Sequence, residues 1–79
     1  MSNTPHELSE EFPHDADKIK SLRQSDHHFA RLCDEYHEIN RAVHRAETDV
    51  EPTTDDHMAE MRKTRMILKD QIAASLAKV

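Results

Sequence analysis

Glycine and tryptophan are absent from this 79-residue chain, and cysteine occurs once, tyrosine once, phenylalanine twice and proline three times. Without glycine, few residues suit turns of positive φ, which disfavours tight strand hairpins and glycine-lined phosphate loops. A lone cysteine, Cys33, excludes an internal disulfide framework and fits a reducing compartment. No apolar run approaches the roughly 20 residues that cross a bilayer. The N-terminus lacks the basic start and apolar core of a secretory signal. These absences lead to the expectation of a cytoplasmic protein with no membrane partner.

What is present favours helix. Ala, Leu, Met, Glu, Lys and Arg are abundant, and the charged residues, 34% of the chain, are of mixed sign. The net charge is -5, with acids gathered in residues 1–17 and 49–56 and a positive excess after residue 57. A net-acidic chain is a poor candidate for nonspecific DNA binding. Large apolar side chains are few for a chain whose surface is large relative to its interior, so a partner, foremost another copy, is physically attractive.

One domain over residues 1–79 is expected. Residues 1–12 read as a flexible start and a short helical segment: Thr4, Pro5 and Glu7 form a helix-start signal, and Leu8 and Phe12 lie one turn apart. Residues 13–48 read as one long helix. Its seam runs through Leu22, Phe29, Leu32, Tyr36, Ile39, Val43 and Ala46 at heptad-like spacing. Residues 49–54 form a linker, because Pro52 disfavours helix at Glu51 while Thr53 or Thr54 caps a new helix with Asp55 and Asp56 in its first turn. Residues 55–78 form the second helix, whose stripe includes Met58, Met61, Arg65, Leu68, Ile72, Leu76 and Val79.

The expected fold is all-α: an antiparallel two-helix hairpin or coiled coil with a long first helix, assembled into a dimeric helical bundle. Packing inside the hairpin falls to Phe29, Leu32, Tyr36, Ile39, Val43, Met61, Leu68, Ile72 and Leu76. Setting residue 48 opposite 55 puts Arg65 across from Glu38 and Lys69 across from Asp34. In that register the longer helix leaves Leu8, Phe12, Ile19 and Leu22 unmatched. Met66 and Ile67 also leave the stripe of the second helix, and a helix with apolar character on several sides packs on more than one. These six residues are the expected protein interface, for a second copy or for an unidentified protein partner.

Catalytic and metal chemistry find little footing. The seven histidines lack ligand spacing: His37 and His44 share a face but stand about 10.5 Å apart along a helix, and Cys33 with His37 is a pair without a third ligand. Cys33 sits beside the Leu32 and Tyr36 seam, where a thiol packs rather than attacks. Neighbouring carboxylates such as Asp55 and Asp56 suit caps better than acid/base pairs. No enzyme, metal or cofactor is therefore expected. Arg62, Arg65 and Lys69 form a short basic stripe, the basis of an alternative reading as a weak nucleic-acid-binding regulator, but no aromatic ladder accompanies it.

The residues His6, Glu7 and Leu8, then Phe12 and Pro13, His28 and Phe29, and Leu68, Lys69, Asp70, Gln71 and Ile72 resemble the YdcH-like family of small bacterial proteins. The likeness runs over nearly the whole chain. It implies a short helical hairpin or coiled coil in the bacterial cytoplasm. The family is described as of unknown function, so no catalytic residue carries over. Leu8 and Phe12 then match the overhang, Phe29 the seam, and Leu68 and Ile72 the second helix. His28 beside Phe29 is a candidate for partner recognition or for packing at the seam edge.

Overall fold

A computed structural model describes residues 5–48 and 53–78. Four helices follow in order: α1 (Leu8–Glu11), α2 (Ala16–Ser25), α3 (His27–Glu47) and α4 (Asp55–Ala77). The chain is an all-α bundle in which α4 packs on α3 and α2 packs back on α3. The expected hairpin with one long first helix is thereby corrected. Residues 13–48 do not form a continuous helix, and the molecule is neither a simple two-helix hairpin nor a coiled coil.

The break lies at Asp26. Its backbone is extended, φ -131 and ψ 106, so it ends α2 and begins α3 at one residue. The side chain makes this possible: Oδ1 accepts from the amides of His28 at 2.9 Å and Phe29 at 3.2 Å, filling two of the donors that a helix start leaves open. Periodicity could not show this, because Ile19, Leu22 and Phe29 keep helical spacing across the break. A single helix over residues 13–48 would be about 54 Å long at 1.5 Å per residue, whereas the longest extent of the molecule is 38 Å.

The fold-back also removes the expected overhang. Leu8 and Ile19 are buried in one cluster with Phe29, Leu32, Cys33, Tyr36, Leu68, Ile72 and Leu76, while Phe12, Leu22 and Ile39 pack against it. The apolar faces of α1 and α2 leave water against their own chain. A second cluster of Val43, Ala46 and Met61, with Met58 packed on it, fills the other end of the α3 and α4 pair. α4 begins on Thr54, whose Oγ1 accepts from the His57 amide at 3.2 Å, with Asp55 and Asp56 in its first turn. The readings of Thr4, Pro52 and Val79 fall outside the described residues.

The expected charge pairs across the seam are replaced. Arg65 reaches Asn40 instead of Glu38, Lys69 reaches Glu11 instead of Asp34, and Asp34 pairs with Arg23 of α2 at 3.1 Å. The N-terminal segment, placed as an overhang by sequence spacing, supplies Glu11 and displaces the simpler pairing.

Asp26→Ala discriminates between the broken and the continuous helix. With the cap removed, urea denaturation is expected to show a loss of roughly 1 kcal/mol. A continuous helix would instead gain stability from alanine in its interior.

Candidate functional site

The side chains with the most chemical character gather where residues 5–11 cross α3 and α4. α1 is a single turn, too short to hold itself, and is kept in place by what it touches. Tyr36 Oη donates to the carbonyl oxygen of His6 at 2.6 Å. One turn later on α3, Asn40 Nδ2 donates to the carbonyl of Pro5 at 2.8 Å. Both side chains are buried, Tyr36 at 0% and Asn40 at 1% exposure. Arg65 on α4 donates to Asn40 Oδ1 at 3.0 Å, which fixes the amide with its nitrogen toward the N-terminal segment.

His6 takes a left-handed backbone, φ 63. That costs about 1 to 2 kcal/mol for a residue with a Cβ and turns the chain so that both carbonyls accept from side chains of α3. Its amide donates to Glu10 Oε2 at 3.3 Å. Charge closes the segment at each side. Lys69 Nζ donates to Glu11 Oε1 at 2.8 Å. His37 Nδ1 lies 3.1 Å from Glu7 Oε2, within ion-pair reach when the imidazole is protonated, although the nitrogen is not in hydrogen-bond geometry.

Two shifted acidities follow from this packing. Burial first, then the nearby Glu11 carboxylate, pushes the Tyr36 phenol up to about 12, with Arg65 acting in the opposite direction. The hydrogen bond from Lys69 holds the Glu11 carboxyl below its ordinary range, against the opposing effect of burial. The group is therefore an electrostatic clasp for the chain's own N-terminal segment. Sequence spacing missed Asn40, which follows Ile39 in the seam; a polar residue at a position due for burial was the available signal.

The other candidates are dispersed. Cys33 is free and fully buried, and desolvation raises its thiol above the ordinary value, which disfavours the thiolate that a nucleophile or metal ligand requires. Among the described residues no group of three or more His, Cys, Asp or Glu is placed to hold a metal ion. His28 is exposed at the start of α3. An open groove of 520 Å³ runs past Asp34, His37, Glu38, Arg41 and Arg45, charges of both signs. No helix among the described residues is long and apolar enough to cross a membrane.

The basic stripe is already engaged. Arg62 donates to Glu47 at 2.8 Å, Arg65 to Asn40, and Lys69 to Glu11. Of the six expected interface residues, Leu8 and Ile19 are buried, Phe12 and Leu22 are half-buried against the core, and Met66 and Ile67 stand exposed on α4.

The clasp sets a pH limit that can be measured. A phenol held up to about 12, against 10 when free, contributes stability that is full below pH 10 and is lost as pH rises from 10 through 12. Absorbance of the folded chain at 295 nm should show little phenolate at pH 11, and unfolding at that pH should release it. Tyr36→Phe should remove this part of the alkaline stability loss, measured by urea denaturation between pH 9 and 12.

Comparison with known proteins places the chain by its later helices. A family model described as a protein of unknown function, DUF465, matches residues 29–76. No curated protein and no solved structure matches. The matched segment carries the side chains of the clasp, Tyr36, Asn40, Arg65 and Lys69, while the segment they hold lies before it. Spanning more than half of the chain, and consistent with the YdcH-like resemblance, this match shows that the protein belongs to the DUF465 family, whose function is unknown.

Proposed function

We propose that the protein is a small cytoplasmic helical module that works by protein–protein contact, as a structural or interaction element, and that it self-associates. The observation that carries this reading is the outer side of α4, where Met66 is 57% and Ile67 45% exposed. Every other large hydrophobic side chain of α4 among the described residues is buried or half-buried. Adjacent exposed aliphatic side chains on a regular helix, opposite a filled core, are a surface that gains by being covered.

The N-terminal residues expected to share this role support it less. Leu8 and Ile19 are committed to the chain's own core. The nucleic-acid alternative also loses support, because a phosphate would have to compete with Glu47 for Arg62 and with Glu11 for Lys69.

Sedimentation of the full chain across the micromolar range tests the reading. A mass that rises toward that of a dimer is expected. Ile67→Glu should return the chain to monomer with unchanged helix content, since its side chain is outside the core. A wild-type chain that stays monomeric up to several hundred micromolar would sink the proposal.

A further inference from the structure

The outward face of α4 is self-complementary. At 100° per residue, positions 59, 63, 66, 67, 70 and 74 fall within about 100° of the helix surface, on the side opposite Met61, Leu68 and Ile72. All six are exposed. Read outward from the bond between residues 66 and 67, the face is matched in pairs. Met66 and Ile67 form the apolar centre, Lys63 and Asp70 carry opposite charges on either side, and Ala59 and Ala74 are small residues beyond them.

From this pattern we infer that a second copy of the chain docks here, α4 against antiparallel α4, about a two-fold axis passing between residues 66 and 67. The inference rests on the self-association reading and names the surface and register. In this arrangement Met66 packs on Ile67 of the second copy, and the reverse contact follows by symmetry, as in any isologous interface. Lys63 meets Asp70 of the second copy twice. Ala59 facing Ala74 lets the helix axes approach at the ends of the contact.

Charge decides the direction. Parallel helices in register would set Lys63 against Lys63 and Asp70 against Asp70, like charges at both ends. The antiparallel arrangement sets opposite charges at both. Exposed ion pairs add little affinity singly, but their arrangement fixes register and excludes the wrong orientation. Within the chain, no ion pair joins Lys63 or Asp70 to another described residue.

Reversing the charges one at a time supplies the test. Lys63→Glu and Asp70→Lys each place like charges together twice in their own homodimer, and each should weaken dimerisation about tenfold or more at low ionic strength, measured by sedimentation. An equimolar mixture of the two variants should regain wild-type affinity as a heterodimer visible by native mass spectrometry. The doubly reversed chain should regain it as a homodimer. Circular dichroism should show wild-type helix content throughout, because both positions are exposed. Single reversals that dimerise like wild type, or a mixture no tighter than its components, would overturn the register. Should Ile67→Glu abolish association while the reversals leave it unchanged, the register fails and the self-association reading stands. A wild-type monomer under all conditions overturns both.

Discussion

The break at Asp26 decides the shape of the molecule. One carboxylate oxygen satisfying two amide donors makes an extended residue inexpensive at a point where the apolar pattern would allow a helix to run on. Once the chain turns there, α2 folds along α3, and Ile19 enters the same cluster as Tyr36 and Leu68. The core of this short chain then draws on four helices. That enlarges the apolar area removed from water without adding residues.

The second constraint is polar and follows from the first. With α2 folded back, the segment before it crosses α3 and α4, and two of its main-chain carbonyls take hydrogen bonds from side chains there. Tyr36 and Asn40 provide them, Arg65 orients Asn40, and Lys69 holds Glu11. A part-buried network of this kind favours one arrangement over its alternatives, because displacing the segment leaves the buried polar atoms of Tyr36 and Asn40 unsatisfied. His6 keeps its left-handed backbone because these contacts over-determine it. The same contacts engage Arg65 and Lys69 of the basic stripe of α4, so side chains that suggest phosphate binding in the sequence help to hold the N-terminal segment.

What the core leaves over is the outer side of α4. Burial inside the chain divides the apolar residues set aside by spacing into two groups. Those near the N-terminus turn inward, and Met66 and Ile67 remain in solvent. A functional reading built on contact between molecules therefore moves from the beginning of the chain to its last helix, with the opposite charges of Lys63 and Asp70 on either side of the exposed pair.

The sequence by itself determined that the chain is helical, that a helix starts at Thr53 or Thr54 with acids in its first turn, and that Phe29, Tyr36, Val43, Met61 and Ile72 face inward. These follow from propensity, capping chemistry and a 3.6-residue period, all of which act over a few neighbouring positions. Only the tertiary structure decided that α2 turns back at Asp26, that Leu8 and Ile19 are core residues, and that Asn40, Arg65 and Lys69 close over residues 5–11. An N-cap and a surface aspartate look alike in a seam whose spacing continues through both. Partners such as Asn40 with Pro5 or Lys69 with Glu11 are 35 and 58 residues apart. Periodicity reports which way a side chain faces along its own helix; which distant segment arrives there is set by the packing of the whole chain.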